Sequence, residues 1–233
     1  MPTKKILAVG PHPDDIEFSV GGILVKEIKN GNKVEMFVMS QGEASTNGTP
    51  VQRRDEATDA AKIIGATILF GDFGGDSHIV YSIENVMTMA REIRRFRPNV
   101  ILVNSPDANQ HPDHVQASQI VSAAARLARY GGVEELKDLK PHAIDVLYFY
   151  PATLNVGRLP DIIIDITDHS TQWQKAMSAH KSQLKTRKYV DLVVARARVL
   201  GLSINADYAQ GLYHSDPVVL NLPTDITDST RNF

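Results

Sequence analysis

The stretch ILAVGPHPDDIEFSVGG, residues 6–22, decides the fold, because it joins a short apolar run to a polar turn and then to a helical pattern. The run Ile6–Val9 has the length and composition of a buried strand. Pro13 suits the first turn of a helix, where a missing backbone N–H does no harm. A strand that leads through a turn directly into a helix is the repeating unit of α/β proteins.

The same alternation continues along the chain. The predicted strands are Ile6–Val9, Val34–Met39, Thr67–Phe70, Val100–Val103, Asp145–Tyr150 and Ile162–Ile166. The predicted helices lie near residues 20–30, 51–64, 82–96, 113–130, 170–184 and 188–200, and a last apolar run follows at Val218–Leu222. This order predicts an α/β, Rossmann-like fold, with a mostly parallel sheet and helices on both faces. Neither a repeat nor a linker interrupts the sequence, so we expect a single domain over residues 1–233.

The composition excludes several classes of function. With 25 Lys plus Arg against 27 Asp plus Glu, the formal charge of −2 gives no electrostatic basis for binding nucleic acid or an anionic membrane. The absence of cysteine excludes disulfides, thiolate zinc sites, iron–sulfur clusters and a cysteine nucleophile. A bound metal must therefore be held by imidazole and oxygen ligands.

Targeting signals are also missing from the sequence. The apolar run after the basic residues at the start is shorter than the ~7–15 residues of a secretory signal. No stretch reaches the ~20 apolar residues that a transmembrane helix needs. We therefore expect a cytoplasmic protein without membrane insertion.

Two clusters of histidine and aspartate follow predicted strands. The first is PHPDD, residues 11–15, after the first strand, and the second is HPDH, residues 111–114, after the fourth. In a doubly wound sheet these two strands are commonly neighbours, and ligands bind outside their carboxyl ends. We therefore expect the two clusters to face each other across the sheet.

The residue types in these clusters suit a catalytic divalent metal, with zinc as the first choice. Zinc accepts imidazole nitrogen and carboxylate oxygen, and its catalytic sites use three protein ligands. His12 and Asp15 can converge on one ion, and His114 would complete the set. Asp14 and His111 then remain nearby as a proton acceptor and a proton donor. Asp113 is placed to hold one tautomer of a neighbouring histidine.

A purely structural interpretation of each cluster also exists. Aspartate caps helix starts and complements the helix dipole, so Asp14 and Asp15 fit the beginning of a helix on those grounds alone. Proline is likewise favoured at the first helical position, where Pro13 and Pro112 stand. The presence of both clusters at matching strand ends favours a functional site.

The two motifs, with Gly21-Gly22 between them, resemble the PIG-L/LmbE family of zinc-dependent N-deacetylases. The similarity extends through further short segments and covers nearly the whole chain: residues 42–44 (GEA), 53–57 (RRDEA), 62–65 (KIIG) and 180–183 (HKSQ). The loop at residues 45–49 and the segment YAQG at 208–211 look most like the bacterial branch of bacillithiol-pathway deacetylases, which act on N-acetylglucosaminyl-malate.

The resemblance implies a role for each matching residue. It makes His12, Asp15 and His114 the ligands of Zn²⁺, with Fe²⁺ as an alternative metal. It makes Asp14 the general base that acts on zinc-bound water. His111 stabilises the tetrahedral intermediate or protonates the departing amine, Asp113 orients His111, and Arg53 lies near the substrate.

The implied function is hydrolytic removal of the acetyl group from an N-acetylglucosamine-type sugar or conjugate. Family members frequently form homo-oligomers, so the resemblance makes a homo-oligomer possible for this chain without identifying an interface. Two departures from the family pattern are Ile16, in place of an acid, and Asn109, in place of an aspartate two residues before His111. Neither removes a metal ligand or the base.

Two other functions and several residue roles stay open. The chain could be a non-catalytic sugar-binding module on the same fold, or a different metal hydrolase such as a two-metal phosphoesterase. Packing is the simpler interpretation of His180, although contact with a substrate remains an alternative. Tyr208 and Gln210 have no assigned role. The glycine-rich segment at residues 71–75 reads as a flexible loop, because it lacks the order of a phosphate-binding motif.

Overall fold

One seven-stranded sheet with helices packed on it organises the chain in this computed structural model, which describes residues 2–107, 111–152, 159–226 and 228–232. The strands are β1 (Lys5–Gly10), β2 (Lys33–Val38), β3 (Thr67–Phe70), β4 (Val100–Asn104), β5 (Val146–Tyr150), β6 (Ile162–Asp165) and β7 (Ala209–His214). The α-helices are α1 (Asp15–Lys29), α2 (Pro50–Ile64), α3 (Ile83–Phe96), α4 (Pro112–Ala128), α5 (Ser170–Met177) and α6 (Tyr189–Leu202).

The strand order is β3-β2-β1-β4-β5-β7-β6, and the first five strands in this order are parallel. Strand β7 runs antiparallel to both of its neighbours. The order reverses between β1 and β4, which pair in register from Ile6 with Val100 to Val9 with Val103. This is the switch point at which the sequence placed the two polar motifs. The predicted α/β fold is confirmed.

Two apolar clusters cover the two faces of the sheet. The helices α1, α2 and α5 contribute Leu24, Ala60 and Trp173 to one cluster. The helices α3 and α4 contribute Met89 and Ile120 to the other. Both faces of the parallel strands are therefore buried, as continuous apolar strands such as Ile6–Val9 require. None of the helices in the described part of the chain has the length and apolar character needed to cross a bilayer.

The structure differs from the sequence prediction near the C-terminus. The segment AQGLYH forms β7, which no alternation of apolar residues had indicated. The helix predicted over residues 170–184 ends at Met177, because the chain turns inward there and buries His180. The apolar run Val218–Leu222 is largely exposed and belongs to neither a strand nor an α-helix.

Candidate active site

The two polar motifs meet at the carboxyl ends of β1 and β4. The first forms the turn from Gly10 into α1, and the second forms the start of α4, with His111 as its N-cap residue. Close packing of the first turn depends on Gly10. A Cβ atom there would lie 2.9 Å from Cγ1 of Ile16 and 3.2 Å from Cβ of Asp15. A side chain at this position would therefore push the turn away from the strand.

His12, Asp15 and His114 form one group of potential metal ligands, with ligand atoms all within 4.8 Å of one another. Asp15 lies between the two rings. Its Oδ2 is 3.2 Å from Nδ1 of His12, and its Oδ1 is 3.2 Å from Nε2 of His114. The backbone N–H of His12 also donates to Asp15 Oδ2 at 3.0 Å, which fixes the carboxylate in the turn. The structure thus brings together the three residues that the sequence pointed to as ligands.

A second group adjoins the first and shares His12 with it: His12, Asp76, His111 and Asp113. On this side the other ring nitrogen of His12, Nε2, lies 3.0 Å from Asp113 Oδ2 and 3.3 Å from Asp76 Oδ1. The backbone N–H of Ser77 donates to Asp113 Oδ2 at 2.7 Å. A histidine that binds a metal through one nitrogen usually donates its other N–H to a carboxylate. The arrangement around His12 has this form.

Three carboxylates determine the electrostatic surroundings of the His12 ring. Burial works against a charged ring, but hydrogen bonds to three carboxylates outweigh it and raise the pKa of His12 to about 12. These carboxylates belong to Asp113, Asp15 and Asp76. Burial also opposes charge on Asp15, yet His114 and His12 hold its pKa well below the usual range. A divalent ion would satisfy the same carboxylates by displacing the proton, so metal binding is expected to release a proton. The donor set of imidazole and carboxylate fits zinc or ferrous iron.

Asp14 has an unusual backbone conformation. Its φ of 119° and ψ of −31° lie in a region that non-glycine residues rarely adopt. Arg53 holds the turn in place, because its Nη2 donates to the carbonyl oxygen of Pro13 at 2.6 Å and to Asp14 Oδ2 at 3.2 Å. On the helix side, the N–H of Phe18 donates to the carbonyl oxygen of Asp14 at 3.0 Å. Backbone strain held by its surroundings in this way is typical of functional residues.

The environment of Asp14 suits a base that works near neutral pH. Burial raises the pKa of Asp14 to about 6, although the nearby Arg53 guanidinium opposes this rise. A carboxylate with such a pKa is ionised at pH 7 and can still accept a proton readily.

Arg53 is more enclosed than the sequence resemblance implied. It is only 4% exposed, and its Nη1 donates to the carbonyl oxygen of Gly42 at 3.3 Å. Asp76 Oδ2 lies 3.9 Å from the same nitrogen. The guanidinium is therefore engaged by groups of the protein around Asp14.

The structure corrects the expected partner of Asp113. Its carboxylate is 3.8 Å from Nδ1 of His111, longer than a hydrogen bond, whereas it is 3.0 Å from His12. His111 is oriented through the backbone instead, because its Nδ1 accepts from the N–H of Asp113 at 3.3 Å. With Nδ1 as an acceptor, the neutral ring carries its proton on Nε2, which lies 3.7 Å from Asp76 Oδ1. Burial and then the nearby charge of His12 lower the pKa of His111.

This geometry predicts the effect of replacing Asp113 by asparagine. The amide can keep an oxygen toward Ser77, but it loses the charge that holds the N–H of His12. We expect zinc affinity to fall about 10–100-fold, the usual effect of removing a carboxylate that supports a histidine ligand. Competition with a chromophoric chelator measures this change. A variant that binds zinc as tightly as the parent chain would contradict the assignment of Asp113 to His12.

Asp76 is not among the site residues that the two sequence motifs point to. It lies directly after the glycine-rich segment that follows β3, and Gly74, Gly75 and Ser77 in this loop all have positive φ. The loop is tied down because the N–H of Asp76 donates to Glu43 Oε2 at 2.9 Å. The signal was available, since a carboxylate after the carboxyl end of a third parallel strand is a candidate by the same rule as the other two motifs.

The structure shows the contacts of the residues to which the sequence assigned no definite role. His180 is fully buried beside Glu17. Gln210 accepts the N–H of Ile23 at 2.9 Å through Oε1, and the guanidinium carbon of Arg198 lies 5.8 Å from the ring centroid of Tyr208. Asn109, the departure noted before His111, lies outside the described residues.

Several known proteins are similar to this chain in sequence and in fold. The diacetylchitobiose deacetylase of Thermococcus kodakarensis is 28% identical over 77% of this chain and 70% of its own length. The 4-oxalmesaconate hydratase of Pseudomonas putida is 26% identical over 94% of this chain and 92% of its own length. Among solved structures, the conserved protein TT1542 from Thermus thermophilus is 30% identical, with a TM-score of 0.83 over 94% of this chain and 97% of that one.

A family model also matches. Residues 7–125, just over half of the chain, match the PIG-L model, described as GlcNAc-PI de-N-acetylase. The match includes both polar motifs and the loop with Asp76. The chain therefore belongs to the PIG-L/LmbE family of deacetylases.

Proposed function

We propose that the protein is a metal-dependent hydrolase that removes the N-acetyl group from an N-acetylglucosamine-type sugar or conjugate. The observation that carries the proposal is the convergence of His12, Asp15 and His114 beside the half-buried carboxyl of Asp14. An amide is a poor electrophile with a poor leaving group, so its hydrolysis at neutral pH requires an electrophile, a base and an acid in one place. The residues of this site can provide a base and a hydrogen-bond donor, and they can hold a metal ion as the electrophile.

The proposed ligands are Nδ1 of His12, the Asp15 carboxylate and Nε2 of His114. They leave room for further ligands, as catalytic sites do and closed structural sites do not. Zinc, or ferrous iron as the alternative, supplies when bound a Lewis acid for the acetyl carbonyl and lowers the pKa of a coordinated water toward ~7. Asp113 supports the set by accepting the Nε2–H of His12.

In the proposed reaction Asp14 takes a proton from the attacking water as its oxygen bonds to the acetyl carbon. Nε2–H of His111 can donate a hydrogen bond to the developing oxyanion, while protonated Asp14 gives the departing nitrogen the proton that it took. The carbon–nitrogen bond then breaks, its electron pair stays on nitrogen, and the protonated amine leaves acetate behind. The nitrogen thus receives one proton through Asp14 and a second from the acetic acid that forms, so Asp14 and His111 end each turnover in the protonation states in which they began.

The role proposed for Arg53 differs from the one that the resemblance implied. The resemblance implied contact with the substrate, but the guanidinium already bonds Asp14 and two backbone carbonyls. We therefore propose that Arg53 acts first on Asp14, by fixing the turn and favouring the ionised carboxylate. A substrate contact would have to use its Nη1 side, where Asp76 also lies.

The similar proteins narrow the substrate to be tested first. The Thermococcus relative is named for diacetylchitobiose, so we propose a chitobiose-type N-acetyl sugar ahead of the malate glycoside of the bacillithiol branch. A second candidate reaction is hydration, because the Pseudomonas hydratase aligns over almost the whole chain. Both reactions require activation of water beside a metal, so the ligand set alone does not separate them.

A single panel of substrates tests these alternatives. The zinc-loaded protein is incubated with N-acetylglucosamine, diacetylchitobiose, N-acetylglucosaminyl-malate and 4-oxalmesaconate, each with and without a chelator. Enzymatic detection of acetate and loss of the enone absorbance follow the two reactions. We expect acetate release from a sugar substrate that chelation abolishes and added zinc restores.

Each of the other outcomes would favour one of the alternative functions. Hydration of 4-oxalmesaconate without acetate release would replace the proposal by a hydratase. Saturable sugar binding by calorimetry without turnover would indicate a binding module. A metal content near one per chain agrees with a single ion, whereas a content near two would mean that the group around Asp76 binds a second ion, as a phosphoesterase requires.

A further inference from the structure

A buried pair of ionisable side chains includes one residue of the helix turn that follows the candidate base, Asp14. The pair has no part in the reaction as proposed. His180 and Glu17 are both 0% exposed, and Nε2 of His180 lies 3.1 Å from Oε1 of Glu17. Burial lowers the pKa of His180, but the charges of Glu17 and other carboxylates outweigh burial and raise it. The pair therefore joins, at hydrogen-bond distance, two buried side chains that are 163 positions apart in the sequence.

Stability does not explain the presence of this pair. The second oxygen of Glu17, Oε2, and the other ring nitrogen of His180, Nδ1, have no hydrogen-bond partner among the described residues. A buried ion pair with incomplete hydrogen bonding is typically no more stabilising than two apolar side chains of similar size. Unsatisfied buried groups in a native structure therefore call for a functional reason.

The location of the pair supplies such a reason. Glu17 lies in the first turn of α1, three residues after Asp14. The ring of His180 also packs against Phe18, with centroids 5.9 Å apart, and the N–H of Phe18 holds the carbonyl oxygen of Asp14. Trp173 donates to the carbonyl oxygen of Glu17 at 2.8 Å. His180 thus contacts two consecutive residues in the first turn of α1, directly after Asp14 and Asp15.

Residues that follow His180 in the chain form hydrogen bonds to α2 and to the loop that precedes it. Ser182 donates to the Glu56 carboxylate through both its N–H, at 2.9 Å, and its hydroxyl, at 2.6 Å. Gln183 donates from Nε2 to the carbonyl oxygen of Asn47 at 2.8 Å. The segment His180–Gln183, which lies beyond the residues of the family match, is called the clasp below.

We propose that His180 is a positioning residue that acts through Glu17 and Phe18. It holds the first turn of α1 so that Asp14 keeps its strained backbone conformation. The inference rests on the proposed function only in that Asp14 is taken as the base. The positioning itself is a property of the folded chain.

Three variants test this role: His180→Leu, the double variant Glu17→Leu/His180→Leu, and Ser182→Ala. The first leaves Glu17 buried without its hydrogen-bond partner, so we expect a lower Tm and about a 10²-fold lower kcat, the loss that a small displacement of a catalytic group produces. The double variant removes both buried polar side chains, so its Tm should return toward that of the parent chain while kcat stays low. Ser182→Ala removes a hydroxyl from the same clasp, and its kcat should stay unchanged.

Two further readouts separate positioning from loss of structure. Zinc content and KM should remain close to parental in all three variants, since the ligands are untouched. Amide hydrogen exchange at residues 15–18 should be faster than in the parent chain in both His180 variants, even where the Tm has recovered. If kcat and exchange both recover with the Tm in the double variant, the pair is only structural and the inference is wrong.

The design also separates this inference from the proposed function. If the parent protein releases no acetate from any substrate, the function fails, while the exchange at residues 15–18 still tests the positioning. If acetate is released and the exchange in the double variant equals that of the parent, the positioning fails and the function stands.

Discussion

Replacing Asp14 by asparagine is expected to lower kcat for acetate release by ~10²–10⁴, the contribution of a positioned general base. Asparagine has nearly the same shape, and its side-chain oxygen can still accept the hydrogen bond from Arg53. It also tolerates positive φ better than most residues, so the turn should keep its conformation. Steady-state kinetics with diacetylchitobiose, together with metal analysis, check this result.

Zinc content and Tm should change little in Asp14→Asn, because Asp14 is not one of the converging ligands. A matched control is Asp59→Asn, which removes an exposed carboxylate on α2 that pairs with Lys62 at 3.0 Å and should leave kcat unchanged. Parental turnover by Asp14→Asn would show that another group takes the proton.

The second large effect is expected for His114→Ala. This change removes one of three ligands and leaves Asp15 without the ring that lies 3.2 Å from its Oδ1. Loss of the metal removes several kcal/mol of transition-state stabilisation, so we expect the rate to fall by ~10³ or more. The measurement is zinc stoichiometry after dialysis, followed by acetate release with and without added zinc.

The parent chain treated with a chelator should lose activity to the same extent and regain it with zinc, whereas His114→Ala should not regain it at the same concentration. His142→Ala serves as the control, because His142 bonds the carbonyl oxygen of Pro98 ahead of β4, at the opposite end of the sheet. Full activity of zinc-free His114→Ala would exclude the metal mechanism.

Much of the site could be predicted from the sequence because the sheet topology determines which segments lie next to each other. The apolar run Ile6–Val9 and the run at the start of β4 are recognisable as parallel strands, and a helix follows each. Once two parallel strands are neighbours, residues after their carboxyl ends must lie close together. The approach of His114 to Asp15 follows from this rule without knowledge of any side-chain rotamer.

The remaining features depend on geometry that no local pattern encodes. Whether Asp113 bonds His12 or His111 is decided by less than 1 Å, the difference between distances of 3.0 and 3.8 Å. Asp76 approaches the site only because its loop turns through three positive φ angles. The pairing of Glu17 with His180 joins the first turn of α1 to a segment after α5, and burial alone gives no indication of such a partner in the sequence.

The backbone angle at residue 14 has a consequence for how this sequence can evolve. Glycine adopts such a conformation without steric penalty, and a single base change converts an aspartate codon into a glycine codon. Selection for a more stable protein would therefore drive this position toward glycine, while selection for turnover keeps the carboxylate. Residue 14 is thus a point at which the two pressures would oppose each other if Asp14 is the base as proposed.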